Sequence, residues 1–325
     1  MVAAVRVHKV GGPEVLTYED VSVPEPGPGQ IKIKNHASGV NFIDTYFRMG
    51  MYPSPVGLPF ISGNEGAGEV IAVGPGVSGV KVGDRIGYVV GLGSYAAERL
   101  LPADRAVKLP DSISYEQAAA MMLKGMTVQY LVRRTYKVAK GDNVLIHAAA
   151  GGVGLIACQW ANHLGANVIG TVGSKDKAEL AKKNGAHHTI LYRDEDFVAK
   201  VKEITGGKLC EVVYDGVGKA TFDKDLNVLR PRGYLVLFGG ASGAVPPFDL
   251  IKLSQKGSLF ITRPTLGHYT ATRKELEWRA GDVLQMIAKG ELKLRIHHRY
   301  PLAEAQQAHR DLEGRKTTGK LLLIP

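Results

Sequence analysis

The segment from Val144 to Gly154 constrains the fold more than any other part of the chain. Its apolar start, Val144-Leu145-Ile146, has the character of a strand and gives way to small residues and closely spaced glycines. Apolar residues then recur at helical spacing, at Val153, Ile156, Ala157, Trp160, Ala161 and Leu164. A strand, a tight turn and a helix in this order are typical of a unit that binds a dinucleotide, because glycine lets the backbone approach a pyrophosphate and the helix N-terminus faces it.

The glycine pattern departs from the usual G-x-G-x-x-G at its first position, which Ala149 occupies. The candidate cofactor-binding residues of this turn are Gly151, Gly152, Val153 and Gly154. A purely structural turn without a ligand is the alternative. The strand before the turn and the amphipathic helix after it favour the binding interpretation.

Length and composition indicate a globular protein of two domains. The chain has 325 residues, of which 45% are hydrophobic, and its apolar runs are far shorter than a membrane span. Its start lacks the pattern of a signal peptide, so we expect a cytoplasmic protein. Two cysteines, Cys158 and Cys210, do not make a disulfide framework.

The net charge of +10 could attract nucleic acid, acidic lipid or small anions. The positive residues are scattered, without a long basic run or regularly interleaved aromatic residues. We therefore favour a basic surface that suits a polyphosphate cofactor, and keep nucleic-acid binding as the alternative.

The coarse pattern changes near Ser114. Before it, short strand candidates separated by Gly and Pro indicate an antiparallel β domain, with one helix near Phe42–Met49. The strand candidates are Val2–Val7, Val15–Val21, Gln30–Ala37, Glu69–Val73, Arg85–Val90 and Tyr95–Leu101.

After Ser114, strands and helices alternate, which indicates a parallel, doubly wound α/β sheet. Helices are expected at Tyr115–Leu123 and Thr127–Arg134, and later near Gly152–Leu164, Lys175–Asn184, Phe197–Thr205, Phe222–Leu229 and Leu276–Lys289. The strand candidates are Asn143–His147, Val168–Val172, His188–Leu191, Val212–Asp215, Tyr234–Phe238, Ser258–Thr262 and the final Lys320–Ile324.

Four segments carry a resemblance to a known family along the whole chain. They are Ser38–Asp44, Gly63–Gly68, Ala148–Gly154 and Val213-Tyr214-Asp215. With them the chain resembles the medium-chain dehydrogenase/reductase superfamily, and within it the zinc-free NADPH:quinone oxidoreductases of the zeta-crystallin type. The resemblance implies a GroES-like antiparallel β domain in 1–123, a Rossmann NADPH-binding domain in 124–262, and a C-terminal return in 263–325. It also implies a cofactor in the cleft between the domains and a homodimer.

Two asparagines argue against a catalytic metal. Zinc-dependent members of the superfamily have a cysteine where this chain has Asn41 and a histidine where it has Asn64. Asparagine is a poor ligand for zinc, which prefers thiolate and imidazole. We therefore expect no metal and no zinc-assisted alcohol oxidation.

The end of the second strand of the α/β domain predicts the cofactor. An NAD site has an acidic residue there, whereas this strand ends in Gly173 and Ser174. Ser174 and Lys177 suit a 2′-phosphate, although Ser174 as a helix cap and Lys177 as a solvated lysine are alternatives. Asp176 would favour NAD if it faced the ribose, and we expect it to point outward. The resemblance adds Tyr192 as a neighbour of the adenosine end.

The reacting end is expected in one short segment that holds Asn41, Asp44, Tyr46 and Tyr52. Phenol rings offer a flat apolar wall and one hydrogen-bond donor for a carbonyl oxygen. The alternatives are a helix cap for Asn41 and Asp44 and wall or core aromatics for the tyrosines. The resemblance places Asn41, Tyr46 and Tyr52 at the nicotinamide and substrate, and it implies further cofactor contacts at Thr127, Phe238, Gly239, Arg263 and Arg315.

The sequence thus predicts zinc-independent and flavin-independent reduction of quinones by NADPH, through hydride transfer in the interdomain cleft. An NADPH-dependent enone or alkenal reductase is the alternative within the same class, because both substrates are electron-poor conjugated carbonyl compounds. A nucleic-acid-binding protein is the alternative from another class. The proton donor stays open between solvent and a tyrosine such as Tyr52.

Overall fold

The computed structural model describes residues 1–314 and 317–325, which form two compact units. The first unit comprises Met1–Lys124, Thr272–Ala288 and Leu294–Pro325, and the second comprises Gly125–Ala271 and Lys289–Lys293. The first boundary differs by one residue from the expected one, and the chain returns to the first unit at Thr272 rather than at 263. Arg315, an expected cofactor contact, lies outside the described residues.

The first unit is built on antiparallel strands. The longest pairing joins β3 to β5 and to β7, and its buried side includes Ile31, Ile33, Val70 and Ile86. The strands are β1 Val2–Val7, β2 Leu16–Val21, β3 Gln30–Val40, β4 Phe60–Ile61, β5 Glu65–Val73, β6 Arg85–Val89, β7 Glu98–Pro102 and β8 Val107–Lys108. The helices are α1 Phe42–Arg48 and α2 Tyr115–Tyr130, of which the part from Gly125 onward belongs to the second unit.

Helix α1 is short because both of its ends are fixed locally. At its start, the backbone N–H of Asn41 donates to Asp44 Oδ2 at 2.8 Å. At its end, Gly50 takes a φ of 75°, a left-handed conformation that glycine adopts without strain, and its N–H donates to Phe47 O at 3.1 Å. The helix thus lies within the expected range, Phe42–Met49.

Helix α2 corrects one expectation. The sequence predicted two helices separated at Lys124–Met126, but the helix continues to Tyr130 and then changes to one π-helical turn, Leu131–Thr135. Met122, Lys124 and Met126 are all buried, so packing on the core outweighs the weak helix propensity of Gly125.

The second unit holds a parallel sheet in the strand order β11-β10-β9-β12-β13-β14. The strands are β9 Asn143–Ile146, β10 Asn167–Val172, β11 His188–Leu191, β12 Cys210–Asp215, β13 Leu229–Leu237 and β14 Phe260–Thr262. The helices are α3 Gly152–His163, α4 Lys175–Lys183, α5 Phe197–Ile204, α6 Phe222–Asp225, α7 Ile251–Gln255 and α8 Leu266–Tyr269. This order confirms the doubly wound fold and places its switch point at the carboxyl end of β9.

The final part of the chain completes the sheet of the first unit. It contains α9 Arg273–Ala288, β15 Ile296–Pro301, α10 Ala305–Glu313 and β16 Lys320–Ile324. Strand β16 lies antiparallel to β3, with Leu321 opposite Val40, and parallel to β15. The sequence did not predict β15 or α10, because β15 contains His297, His298 and Arg299 and α10 is largely polar.

None of the helices in the described part of the chain is long and apolar enough to cross a membrane.

Candidate functional site

The glycine turn after β9 has the geometry of an anion cradle. The first hydrogen bond of α3 runs from Leu155 N to Gly151 O at 2.9 Å, so the N–H groups of Gly152, Val153 and Gly154 precede the helical ladder. A Cβ on Gly154 would run into the carbonyl oxygen of Ala148 and lie 2.7 Å from Ala149 Cα. Only glycine therefore permits this approach of helix and turn, and the positive end of the helix dipole faces the space in front of it.

The end of β10 brings together the residues predicted for the adenosine end. A Cβ on Gly173 would lie 2.9 Å from Tyr192 Oη and 3.5 Å from Arg193 Nε, so both side chains lie beside this glycine. Ser174 caps α4, and its Oγ accepts from Lys177 N at 3.4 Å. The end of the strand carries no carboxylate, and Asp176 is exposed in the first turn of α4.

Three further predicted contacts, Phe238, Gly239 and Arg263, lie at the ends of β13 and β14. Arg263 Nη1 donates to Gly239 O at 3.2 Å, and the ring of Phe238 lies against Gly216. The turn that follows β12 is held by Asp215, whose Oδ2 accepts from Thr221 Oγ1 at 2.8 Å. Thr127, the remaining predicted contact in this unit, is buried in α2.

In the first unit, Asp44 is the centre of a buried polar cluster. Its side chain has no exposed surface and accepts hydrogen bonds from Asn41 N at 2.8 Å, Asn64 Nδ2 at 2.6 Å and Tyr95 Oη at 2.9 Å. Burial raises the pKa of Asp44, and these three donors act in the opposite direction. Asp44 is thus connected to the rest of the cluster by hydrogen bonds from Asn41, Asn64 and Tyr95.

The amide of Asn41 has a defined orientation because of its partners. Its Nδ2 donates to Glu65 Oε1 at 2.8 Å and to Gly39 O at 3.1 Å, and its Oδ1 accepts from Lys320 Nζ at 2.9 Å. A carboxylate only accepts and an ammonium only donates, so the two amide atoms cannot exchange places.

Glu65 links this amide to two distant parts of the chain. Its Oε1 forms a buried ion pair with Lys320, and its Oε2 accepts from Leu123 N at 2.6 Å. A second lysine, Lys124, follows Leu123 and is also buried, and this burial lowers its pKa to about 8. The cluster therefore combines two carboxylates with two buried lysines.

A chain of hydrogen bonds leads from Asp44 to α10. Tyr95 Oη lies 3.1 Å from His309 Nε2, and Arg48 Nη1 lies 3.0 Å from His309 Nδ1. Since arginine only donates, His309 Nδ1 accepts, Nε2–H donates to Tyr95, and Tyr95 donates to Asp44. Arg48 also forms a two-pronged ion pair with Glu313, at 2.9 and 3.0 Å.

The two predicted tyrosines lie against each other. The rings of Tyr46 and Tyr52 meet edge to face with centroids 5.4 Å apart, and Tyr52 N donates to Tyr46 O at 3.2 Å. Phe47 packs against the other side of Tyr52 at 5.8 Å. This segment continues into exposed apolar residues, Met51, Val56 and Leu58, which suit an apolar ligand.

Within residues 1–314 and 317–325, no group of three His, Cys, Asp or Glu side chains is arranged to hold a metal ion. Asn41 and Asn64, which stand at the positions of metal ligands in zinc-dependent members, are instead engaged by Glu65, Lys320 and Asp44.

Sequence reasoning missed several members of these sites. Glu65, Tyr95, His309 and Lys320 are distant from Asn41 in the chain, and only strand pairing and the packing of α10 bring them close. Arg193 carried a usable signal, since it follows Tyr192 directly at the end of a predicted strand.

Two family models match the chain. The model described as alcohol dehydrogenase GroES-like domain matches residues 27–111, and the model described as zinc-binding dehydrogenase matches residues 152–280.

Individual relatives match from end to end. A quinone oxidoreductase of Pseudomonas aeruginosa is 51% identical, with 100% of each chain covered. A 2-haloacrylate reductase of Burkholderia sp is 47% identical, with 100% of this chain and 99% of the relative covered. The crystal structure of Escherichia coli quinone oxidoreductase complexed with NADPH is similar with a TM-score of 0.97 at 50% identity, covering 99% of this chain and 100% of that one.

Proposed function

Because the chain belongs to the quinone oxidoreductase family of the medium-chain dehydrogenase/reductase superfamily, we propose that it reduces quinones with NADPH. The relatives supply the reaction class, and the residues of the second unit fit the cofactor. The N–H groups of Gly152, Val153 and Gly154 precede the hydrogen-bond ladder of α3, and N–H groups at a helix N-terminus bind phosphate groups.

The observation that carries the choice of NADPH is the end of β10. Gly173 and Ser174 stand where NAD-binding proteins have a carboxylate, the side chains of Tyr192 and Arg193 lie beside Gly173, and Lys177 belongs to the first turn of α4. A carboxylate there would repel a 2′-phosphate, whereas lysine and arginine bind one.

The residues of the first unit have positioning roles in this proposal. NADPH, when bound, supplies the hydride. Glu65 and Lys320 hold the Asn41 side-chain amide in one orientation, and Asp44 holds the backbone N–H of Asn41. The second lone pair of Oδ1 can therefore meet a donor of cofactor or substrate without rearrangement. Tyr46 and Tyr52 form an aromatic wall for a planar substrate, and the proton comes from solvent or from the Tyr52 hydroxyl.

The test follows NADPH absorbance with purified protein, in the absence of added flavin. We expect turnover with p-benzoquinone and related quinones, faster with NADPH than with NADH. A protein that oxidises NADPH with none of these quinones, at any substrate concentration that dissolves, would contradict the proposal.

Reduction of a conjugated carbon–carbon double bond is the second candidate. It is favoured by the full-length similarity to the 2-haloacrylate reductase of Burkholderia sp. Quinones, enones, alkenals and 2-haloacrylates share an electron-poor conjugated system, so one apolar wall suits them all. Comparing kcat/KM for p-benzoquinone, a simple enone and 2-chloroacrylate separates the two candidates.

We also propose that the reaction needs no zinc. Asn41 and Asn64 provide amides in place of thiolate and imidazole, and the Lys320 ammonium already occupies the acceptor side of Asn41. Activity should survive dialysis against a chelator. One zinc per chain by metal analysis, with activity lost on chelation, would refute this.

The edge of the sheet in the second unit supports a homodimer. Strand β14 pairs with β13 on one side, and its Phe260 is 49% exposed, as are the apolar neighbours Leu250 and Ile251 at 70% and 55%. Bare apolar edges favour pairing with another chain. Sedimentation of the wild type and of Phe260→Lys should give a dimer and a weakened dimer; a wild-type monomer at micromolar concentration would contradict this.

Nucleic-acid binding, suggested by the net charge of +10, is tested separately. Such binding would show sub-micromolar affinity for RNA or DNA at physiological salt, unaffected by saturating NADPH. We expect weaker binding that falls steeply with salt.

A further inference from the structure

His147, the residue between β9 and the glycine turn, is buried and makes two side-chain contacts. Its Nε2 lies 2.7 Å from Asp225 Oδ1, in α6, and its Nδ1 lies 2.8 Å from Thr171 Oγ1, in β10. Its own N–H donates to Tyr214 O at 3.1 Å, in β12. One residue thus ties the carboxyl ends of three neighbouring strands to α6, at the edge where doubly wound sheets bind their ligands.

Thr171 makes contacts on both sides of Ala148, the residue that follows His147. Its hydroxyl contacts the His147 ring, and its carbonyl accepts from Ala149 N at 3.0 Å. Between these two contacts, Ala148 has a φ of 52°, in the left-handed region that alanine seldom adopts.

The strained residue shapes the turn itself. Ala148 is exposed, and its carbonyl accepts from Gly151 N at 2.8 Å. The same carbonyl is the atom against which Gly154 packs at the start of α3. A change in the Ala148 conformation would therefore move the N–H groups that precede the α3 ladder.

We propose that His147 is a positioning residue for the cofactor: clamped by Thr171 and Asp225, it keeps Ala148 in the left-handed conformation and so holds the turn ready for the pyrophosphate. This inference rests on the proposed binding of NADPH. His147 does not contact the cofactor in this proposal and acts through Ala148.

The groups around the His147 ring allow its contacts with Asp225 and Thr171 in both protonation states of the ring. Two carboxylates face His147, those of Asp225 and Asp215. The Phe197 ring meets the His147 ring edge to face, with the ring centroids 5.1 Å apart. Burial by itself lowers the pKa of His147, but Asp225 outweighs it and raises the pKa above the usual value. The Thr171 hydroxyl can donate to a neutral ring or accept from a charged one, so the clamp persists in both protonation states.

The test measures NADPH affinity by titration calorimetry, which needs no turnover. The variants are His147→Gln and Thr171→Val; the second keeps the strand shape and the Thr171 carbonyl while it removes the hydroxyl. We expect each to raise the Kd for NADPH about threefold to tenfold, the range that the loss of one hydrogen bond gives. Thermal unfolding of each variant reports its fold.

The matched control lies at the opposite end of the same two strands. Asn167 Nδ2 donates to Asn143 Oδ1 at 2.8 Å, which links β9 to β10 at their amino ends. Asn143→Ala should lower the unfolding midpoint and leave the Kd for NADPH within twofold of the wild type. A merely structural role of His147 would give the same pattern as this control.

A rescue experiment separates positioning from stability. In Ala148→Gly the left-handed conformation needs no clamp, because glycine adopts it without strain. Adding Ala148→Gly to Thr171→Val should therefore recover most of the lost affinity without recovering the unfolding midpoint. Unchanged affinity in both clamp variants, or a double variant no better than Thr171→Val, would overturn the inference. If the wild type itself binds no NADPH, it is the proposed function that fails.

Discussion

The Nζ of Lys320, in the last strand of the chain, donates a 2.9 Å hydrogen bond to Oδ1 of Asn41, at the start of α1. The same ammonium pairs with Glu65, which also accepts from the Asn41 amide. Lys320, which most of the chain separates from Asn41 and Glu65, thus closes a buried triangle with them. A cation lies against the residue that stands in place of a zinc-binding cysteine, and its charge is balanced within the protein.

Replacing Lys320 tests how this triangle is held together. Lys320→Met keeps the length of the side chain but leaves the Glu65 carboxylate buried without its cation. Breaking a buried ion pair from one side costs about 3 kcal/mol or more, and we expect a loss of that size in the free energy of unfolding measured with urea.

The double variant and a surface control complete this test. Glu65→Gln removes the orphaned charge, so Lys320→Met with Glu65→Gln should recover at least half of the loss. Arg299 and Glu116 form an exposed pair at 2.7 Å, and Arg299→Met should cost less than about 1 kcal/mol. Equal losses in Lys320→Met and Arg299→Met would show that the buried ion pair contributes no more to the free energy of unfolding than the exposed pair.

The sequence predicted the structural features that depend on residues close together in the chain. The strand, glycine turn and helix at Val144–Gly154 are as expected, and the bond from Asn41 N to Asp44 at the start of α1 is the cap that the sequence offered as an alternative. Spacing and residue type determine both over a few residues. The end of β10 was identified for the same reason.

The sequence could not predict the tertiary contacts between distant residues. Lys320 reaches Asn41 only because β16 adds to β3, and His309 reaches Tyr95 only because α10 packs on the same unit. Tyr192 was placed near Gly173 by resemblance alone, and the structure puts the two in contact. Such pairings depend on which strands become neighbours, and hydrophobic periodicity does not encode that choice.

The cofactor preference should depend on two cations near the end of β10, Arg193 beside Gly173 and Lys177 in the first turn of α4. A charge-assisted contact contributes roughly 1.5–3 kcal/mol, so Lys177→Ala should weaken NADPH about tenfold or more while NADH barely responds. Arg193→Ala, at the same glycine, should act in the same direction. The measurement is the KM of both nucleotides in each variant.

Lys175→Ala is the matched control for this preference, because Lys175 lies in the same first turn of α4 and is exposed. It should change neither KM by more than about twofold, as expected for a solvated surface lysine. If Lys177→Ala raises the KM of both nucleotides equally, Lys177 contacts a part of the molecule that NADPH and NADH share. A wild type that prefers NADH would instead assign the ribose to Asp176.

His309 should make the protein sensitive to acid. Burial, and then the Arg48 charge, lower its pKa to about 3. In the unfolded chain the ring binds a proton near pH 6.5, so between these values the unfolded state holds the extra proton. The stability that neutral His309 permits is complete above pH 6.5 and is lost as the pH falls toward 3, by roughly 1.4 kcal/mol per pH unit.

His309→Gln removes this titration while it keeps two polar groups for Tyr95 and Arg48. We expect lower stability at pH 7 than in the wild type and a flatter decline between pH 6.5 and 4, both measured by urea unfolding. His188→Gln, at an exposed histidine of β11, should leave the slope of the wild type. Parallel pH profiles for wild type and His309→Gln would show that another group causes the acid sensitivity.

Tyr52 should matter for the reaction and not for the fold. Its ring is held between Tyr46 and Phe47, and Tyr52→Phe keeps both edge-to-face contacts while it removes the hydroxyl. If that hydroxyl only donates a hydrogen bond to the substrate oxygen, kcat/KM for quinones should fall by up to about tenfold. If it protonates that oxygen, the fall should be about 100-fold or more; NADPH affinity and the unfolding midpoint should stay unchanged in both cases. Tyr18→Phe makes the same chemical change at an exposed tyrosine of β2 and should leave all three quantities as they are. A kcat/KM for Tyr52→Phe equal to that of the wild type would assign the proton to solvent and leave Tyr52 as a wall of the substrate site.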